Sequence, residues 1–122
     1  MPQTQVVLYR ETDGSCPFLD WITALPVKAQ IKCLHAVERL RDMGHELRRP
    51  QADYLRDGIY ELRVGLQGIH YRMLYFFHGR SVAVIAQGLI KARAVPPEEI
   101  DRAILRKRRF EASPELHMQE GS

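Results

Sequence analysis

The chain has 122 residues, of which 45% are hydrophobic and 27% charged, as is ordinary for one globular domain with a modest core. No apolar run approaches the roughly 18 residues of a membrane-spanning helix, and no secretory signal is visible, so we expect a cytoplasmic protein without membrane contact. The net charge is +3, and all 18 lysines and arginines lie at or before Arg109. A basic surface of this kind favours nucleic acid or an acidic protein as partner.

The two cysteines have neither the spacing of a metal site nor that of a redox pair. Cys16 and Cys33 stand alone, so two free thiols in a reducing cytoplasm are a simpler interpretation than a disulfide or a metal site. The sequence also lacks a glycine-rich phosphate loop and a cluster of metal ligands. We therefore expect no metal ion and no other cofactor.

The first half of the chain predicts one strand and two helices. Residues 5–9 (QVVLY) are β-prone, and Ser15 followed by Pro17 is typical of the start of a short apolar helix. A second helix should run from Pro26 to Gly44, and residues 45–57 read as a polar connector. The apolar residues of the second helix recur at helical spacing and predict one buried stripe, formed by Val27, Ile31, Leu34, Val37 and Leu40.

The second half predicts three strands joined by tight turns. The strands lie near Ile59–Gly65, Ile69–Phe77 and Ser81–Gly88. The turns lie at residues 66–68 and 78–80, and their glycines suit hairpin connections. Three consecutive strands with such turns predict an antiparallel meander.

A last helix and a tail complete the predicted fold. Pro96 and the acidic residues after it are typical of a helix start, because the helix dipole favours negative charge there. The order β-α-α-β-β-β-α describes an α+β domain over residues 1–110, with an antiparallel sheet packed against helices. Residues 111–122 are expected to form a flexible C-terminal tail.

Side-chain alternation places polar residues of two neighbouring strands on one face of the sheet. A two-residue turn at Gln67-Gly68 would put Arg63 directly opposite Arg72. A four-residue turn would put Arg63 opposite His70 instead. Either turn groups Arg63, His70 and Arg72 with Glu61, whereas a three-residue loop would separate them.

The next turn decides whether two more residues join this face. A two-residue turn at His78-Gly79 would bring Gln87 and Lys91 to the side of Arg63 and Arg72.

The placement of two arginines directly opposite each other requires an explanation, because directly opposed like charges destabilise a sheet. Their planar forks are suited to phosphate, and around a phosphate undergoing transesterification they would stabilise the negative charge of the transition state. Alternatively, Arg63 pairs with Glu61 in a neighbouring register or with an acidic residue of the connector. A nearby arginine would also lower the pKa of His70 and keep it neutral as a candidate base.

The last helix carries a run of cations. Arg106, Lys107 and Arg109 are candidates for contact with an RNA backbone, which is recognised through charge. The alternative is an ordinary solvated helix face.

Three segments in order carry a family resemblance: GIYELRV, HYRMLYFF and QGLIKARAVPPEEIDRA. With them the chain resembles the RelE/HigB toxin superfamily, in particular the phage-derived HigB-like branch of type II toxin–antitoxin systems. The resemblance covers about residues 5–110.

This resemblance implies a ribosome-dependent mRNA endoribonuclease, or mRNA interferase, that inhibits translation without a metal ion. Arg63 and Arg72 match the basic strand residues of the family, and Lys91 matches the lysine after its Gly-aromatic pair. His70 or Tyr71 would be the acid or base. The implied partners are the ribosome with its mRNA and a helix-turn-helix antitoxin, through which the protein would meet DNA only indirectly.

The chain departs from the family pattern from the end of the sixth predicted element onward. Gln87-Gly88-Leu89 stands where the branch usually has His-Gly-Phe, and Ala92 and Val95 stand where it usually has lysines. Arg93 could supply part of the missing positive charge for RNA binding. These changes motivate an alternative, a catalytically weakened protein of the same fold that binds the antitoxin and acts as a transcriptional co-repressor. A small RNA-binding protein unrelated to toxins is a third interpretation.

Overall fold

The computed structural model describes residues 3–120, in which six strands and three helices form an α+β fold. In chain order the elements are β1 (Gln5–Tyr9), α1 (Pro17–Thr23), α2 (Val27–Met43), a 3-10 turn (Gly44–Glu46), β2 (Ala52–Arg56), β3 (Ile59–Leu66), β4 (Ile69–His78), β5 (Val82–Ile90), α3 (Pro97–Ala112) and β6 (Met118–Glu120). None of the helices among these residues is both long and apolar enough to cross a membrane.

The six strands form one mostly antiparallel sheet in the order β2-β3-β4-β5-β1-β6. Only the β1–β5 pair is parallel. The α+β class and the meander of β3, β4 and β5 are confirmed. The order differs from the predicted β-α-α-β-β-β-α because two further strands, β2 and β6, lie at the edges of the sheet.

The sheet has a hydrophobic core on each face. Met73 and Tyr75 of β4 pack in the core beneath α1 and α2, while the alternate residues Leu74 and Phe76 pack in the core beneath α3. The long apolar run of β4 follows from this arrangement, because a strand covered on both faces has no solvent side. The layers are therefore helix, sheet and helix.

The buried stripe of α2 differs from the prediction. Ala29 and Cys33 are buried, whereas Val27, Ile31 and Leu34 are exposed by 69%, 50% and 48%. The small side chains allow α2 to approach the sheet closely, and the larger residues lie on the adjacent stripe of the helix. Leu40 is the buried member of the predicted set.

Residues 111–120 differ from the expected tail, whose last two residues, 121 and 122, lie outside the described part of the chain. Helix α3 continues to Ala112, and β6 then pairs with β1 at the edge of the sheet. His117 is 5% exposed and stacks on Tyr9 with ring centroids 5.2 Å apart. A three-residue strand whose partner lies over a hundred residues away in the sequence has too little local pattern to be recognised. The limits of the domain itself stay a prediction.

The connector before β3 also differs from the prediction, because Ala52–Arg56 forms β2. This edge strand carries Asp53 and Arg56 and has one solvated side, so it lacks a clear apolar alternation. Its pairing with β3 brings Asp53 directly opposite Glu61.

Helix α1 lies directly on β5. The Trp21 ring covers Gly88, and a Cβ at that position would overlap the ring. Glycine is required here by this close approach. The two cysteines are buried free thiols, and burial raises the pKa of Cys33 to about 11.

Candidate functional site

The turn between β3 and β4 has two residues, as the first of the two predicted registers requires. Gln67 and Gly68 both have positive φ, 53° and 80°, which is the conformation of a tight hairpin turn. Arg63 therefore lies directly opposite Arg72. The alternative of a four-residue turn is wrong.

The turn between β4 and β5 is one residue longer than the predicted His78-Gly79 turn. His78 pairs with Val82, which leaves residues 79–81 as a three-residue loop. A bulge at Ala86 compensates, because Leu74 pairs with Gln87 while Tyr75 pairs with Ile85. Gln87 thus lies on the predicted face, but because of this bulge and not because of the predicted two-residue turn.

A buried carboxylate holds the two opposed arginines, and we call this group of Asp53, Glu61, Arg63 and Arg72 the Glu61 cluster. Glu61 is 2% exposed. Its Oε2 accepts hydrogen bonds from Nε and Nη2 of Arg63 at 3.2 and 3.1 Å, and its Oε1 accepts one from Nη1 of Arg72 at 2.6 Å. Asp53 Oδ2 accepts another from Arg63 Nη2 at 3.1 Å. Glu61 therefore offsets the repulsion between the arginines.

The alternative of structural pairing is thus observed in this structure. Arg63 pairs with Glu61 of its own strand and with Asp53 of the segment expected to be a connector. Sequence reasoning did not single out Asp53. The signal that could have found it is the Asp57-Gly58 turn, since a hairpin around that turn places Asp53 beside Glu61.

Each arginine nevertheless keeps an unused donor. Within residues 3–120, Nη1 of Arg63 and Nη2 of Arg72 have no hydrogen-bond partner. A groove of about 330 Å³ is lined by both arginines and by His70. Gly65 lies opposite His70 and also lines the groove, where the space above its backbone is open. An anion the size of a phosphate could enter this groove.

The carboxylates do not cancel the positive charge of this region. Arg49 Nη2 lies 3.0 Å from Asp53 Oδ2, and this hydrogen bond, with a smaller contribution from Arg63, holds the pKa of Asp53 below its usual value. Three arginines therefore face two carboxylates here. The local charge is positive even before the nearby Lys91 and Arg93 are counted.

Lys91 and Arg93 follow β5 and are both exposed. Arg72 Nε donates to the carbonyl of Lys91 at 3.0 Å, and the Lys91 N–H donates to the carbonyl of His70 at 3.1 Å. The backbone of Lys91 is thereby tied to the Glu61 cluster. Val95, where the resemblance leads one to expect a lysine, is 7% exposed and packs in the core beneath α3.

Tyr71 also contributes to the lining of the groove at Arg63 and Arg72, but its ring is turned to the other face of the sheet. Its side chain belongs to the core on the opposite face, is 3% exposed and packs against the edge of Trp21 at a ring-centroid distance of 6.4 Å. Alternation along β4 places it across the sheet from Arg72. This position argues against Tyr71 as an acid or base at a phosphate bound by Arg63 and Arg72.

Arg106 of α3 belongs to a second group of contacts. We call this group, formed by Tyr9, Glu11, Gln87 and Arg106, the Glu11 network. Arg106 donates to Gln87 Oε1 at 2.8 Å and to Glu11 Oε2 at 3.2 Å, and its side chain is 14% exposed. Tyr9 donates to Glu11 Oε1 at 3.0 Å, and burial is the main cause that raises the pKa of Tyr9. Arg106 therefore connects α3 to the sheet and is poorly placed for RNA.

The other two helix cations are also paired. Lys107 Nζ lies 3.2 Å from Glu111 Oε2, and Arg109 Nη1 lies 3.7 Å from Glu11 Oε1. The side chain of Arg109 is half exposed, so it is more accessible than Arg106. The helix cations and the Glu61 cluster thus form two separate groups of contacts.

In the part of the chain that the structure describes, no group of three or more His, Cys, Asp or Glu side chains is arranged to hold a metal ion. The chemistry available at the Glu61 cluster is that of guanidinium groups, an exposed imidazole and a nearby ammonium group. These groups bind and polarise anions.

A comparison with family models identifies the chain. The family described as Phage derived protein Gp49-like (DUF891) matches residues 20–108, which include α2, the meander and most of α3. A search of curated proteins found no match. The chain therefore belongs to the phage-derived Gp49-like family, which is part of the RelE/HigB-like toxin family.

Proposed function

We propose that this protein is the toxin of a type II toxin–antitoxin system and cleaves mRNA on the ribosome as a metal-independent endoribonuclease. Family membership supports the class of protein. The observation that carries the reaction is the pair of opposed arginines, Arg63 and Arg72, held by buried Glu61 with one donor group of each left unused.

The proposed reaction is an internal transesterification. The 2′-oxygen of one nucleotide attacks the adjacent phosphorus as its proton leaves, and the bond from phosphorus to the 5′-oxygen breaks as that oxygen gains a proton. The products are a 2′,3′-cyclic phosphate and a 5′-hydroxyl. Negative charge grows on the phosphate oxygens, where Arg63 and Arg72 would donate, with Lys91 and Arg93 adding positive charge.

His70 is the candidate acid or base, because it is exposed and lines the same groove as Arg63 and Arg72. Glu61 is not suited to that task, since both its oxygens accept hydrogen bonds from arginines. We assign Glu61 the role of a positioning residue.

The test is primer extension on ribosome-bound mRNA with Arg72→Ala. We expect cleavage to fall by about a hundredfold to a thousandfold, because one donor to the transition state is lost. Arg108→Ala is the matched control, since Arg108 is an exposed arginine on α3. Unchanged A-site cleavage by folded Arg72→Ala would overturn the proposal, and Arg63→Ala serves as a second variant if Arg72→Ala fails to fold.

A second function is favoured by the same contacts. Glu61 and Asp53 already occupy two nitrogens of Arg63, and Glu61 and the Lys91 carbonyl occupy two of Arg72. A protein in which these pairs persist would bind its antitoxin and act as a co-repressor without cutting RNA. Absence of discrete cleavage by the wild-type protein on translating ribosomes would select this function.

The proposed partners are a helix-turn-helix antitoxin, the ribosome with mRNA, and DNA only through the antitoxin, all in the cytoplasm. The antitoxin surface we propose is a groove of about 720 Å³ beside the exposed Leu19, Ile31 and Leu34. Its lining combines these apolar side chains with Glu38 and Arg41, which would suit an amphipathic helix. Leu34→Asp should abolish co-purification of the antitoxin and leave RNA cleavage intact; retained co-purification would exclude this surface.

A further inference from the structure

A second groove lies along the edge strand β2, next to the Glu61 cluster. It encloses about 570 Å³, and we call it the Tyr54 groove after the exposed aromatic residue in its lining. Its lining includes His45, Arg48, Arg49, Asp53, Tyr54 and Tyr60. This combination of tyrosine and arginine side chains is typical of surfaces that bind single-stranded nucleic acid.

The Tyr54 ring is exposed and yet held in place. The residue is 53% exposed. Its hydroxyl accepts a hydrogen bond from the Gly58 N–H at 3.0 Å, and its ring makes an edge contact with Tyr60 at a centroid distance of 5.0 Å. Ordering an exposed side chain before the ligand arrives lowers the entropy lost on binding. Tyr54 is thus suited to stack against a flat, apolar surface such as a nucleobase.

The charge of the Tyr54 groove is positive. The Arg49 side chain is 76% exposed, and Arg48 is also exposed. The one carboxylate in the lining belongs to Asp53, which pairs with both Arg49 and Arg63. Arg48 is held to its own loop by a hydrogen bond to the His45 carbonyl. A phosphate beside Tyr54 would therefore meet cations.

The Tyr54 groove and the Glu61 cluster meet at the edge of the sheet: Tyr54 lies opposite Tyr60 on the α2 side, whereas Asp53 lies opposite Glu61 on the side of the arginines. Asp53 Oδ2 lies 3.0 Å from Arg49 Nη2 and 3.1 Å from Arg63 Nη2, so one carboxylate joins the two sites. A strand of RNA with a phosphate at Arg63 and Arg72 would pass over β2, the edge strand of the sheet, to reach Tyr54.

We infer that the Tyr54 groove binds an unpaired nucleotide of the same RNA, with its base stacked on Tyr54 and its phosphate at Arg49. This inference rests on the proposed function, because it takes RNA as the polyanion bound at Arg63 and Arg72. It adds a binding site that lies outside the reacting groups. Stacking recognises the face of a base, so the site would tolerate any base.

The test uses a fluorescein-labelled twelve-nucleotide RNA with 2′-O-methyl ribose, which cannot be cleaved, and measures binding to the full chain by anisotropy. We expect Tyr54→Ala to weaken binding about tenfold, Tyr54→Phe to bind nearly as the wild type does, and Arg49→Ala to reduce the salt dependence. Leu116→Ala is the control, because Leu116 is 48% exposed and lies near β6.

An abasic RNA with the same number of phosphates separates stacking from a structural effect. Tyr54→Ala and the wild type should bind the abasic RNA equally. The inference would be overturned if Tyr54→Ala lost the same affinity for both RNAs or lost affinity for neither. It would also be overturned if the wild type did not bind RNA. Cleavage by Arg72→Ala is measured separately, so the proposed function can fail while the Tyr54 result stands.

Discussion

The Glu61 cluster and the Glu11 network use the same chemistry for different ends. In each, a carboxylate pairs with arginine side chains on the α3 side of the sheet: Glu61 pairs with Arg63 and Arg72, and Glu11 pairs with Arg106. The Glu11 network joins distant elements, because Glu11 and Arg106 are 95 positions apart in the sequence. The Glu61 cluster joins β2, β3 and β4, which the sheet already holds together by backbone hydrogen bonds.

This difference indicates which arginines the fold needs. The Glu11 network adds polar contacts between α3 and the sheet, to which the helix is otherwise held by its apolar core residues. The arginines of the Glu61 cluster connect only strands that are already paired through their backbones. Arg63 and Arg72 repel each other and require Glu61 to be placed together at all. Their presence is easier to explain by a ligand than by stability.

The largest expected effect is on Glu61. Glu61→Gln should lower the free energy of unfolding by about 3 kcal/mol, because it leaves the largely buried Arg72 guanidinium without a carboxylate and Arg63 with Asp53 alone. Urea unfolding measures this loss. Glu11→Gln, at a carboxylate that is a quarter exposed, should cost less than half as much. An equal loss of unfolding free energy in Glu61→Gln and Glu11→Gln would mean that the deeper burial of Glu61 does not increase its contribution to stability.

A smaller loss of stability is expected at Arg106. Arg106→Met should lower the free energy of unfolding by about 2 kcal/mol, because Gln87 and Glu11 each lose a charge-assisted hydrogen bond. RNA cleavage by the folded variant should be unchanged. A large fall in cleavage with little change in thermal stability would assign Arg106 to the RNA site after all.

The next effect concerns geometry at constant charge. Arg72→Lys keeps the positive charge but loses the planar fork that contacts Glu61 and the Lys91 carbonyl together. We expect about a tenfold loss of cleavage, followed by primer extension, and no loss for Arg108→Lys. Full activity of Arg72→Lys would show that cleavage needs only the positive charge at this position and not the planar guanidinium group.

The smallest effect is the pH dependence contributed by Asp53. Its pKa is lowered in the folded protein by the hydrogen bond from Arg49, so its stabilisation is present above the unfolded pKa of about 4 and is lost as the pH falls through the folded value. Because the pair with Arg49 is exposed, the contribution should be about 0.5 kcal/mol. Wild type and Asp53→Asn should therefore differ in urea unfolding at pH 6 and converge at low pH; a constant difference would contradict this origin.

The sequence was most informative where side-chain alternation and turn chemistry act locally. The Gln67-Gly68 turn set the register of Arg63 and Arg72, and the family resemblance agreed with the later family match. Strands β2 and β6 were missed because edge strands are short and polar. Alternation along β4 also predicts that Tyr71 faces away from Arg72, and the structure has it there; its role as acid or base stays a prediction.

The partners of the arginines were harder to predict. Whether Glu61 would accept from Arg63, Arg72 or both depends on side-chain geometry across three strands. The buried stripe of α2 was predicted wrongly, because the size and spacing of apolar residues do not determine which of two adjacent stripes packs on the sheet. Ala29 and Cys33 are less hydrophobic than Ile31 and Leu34, yet they are the residues that fit.

The bulge at Ala86 decides what β5 presents on each face of the sheet. Val84 lies opposite Phe76 on the α3 side, so regular alternation would give that side to residues 86 and 88. The bulge instead places Gln87 opposite Leu74 on the α3 side and leaves Gly88 on the other side, beneath Trp21. One extra residue in a strand therefore supplies both the glutamine that Arg106 contacts and the glycine on which α1 rests.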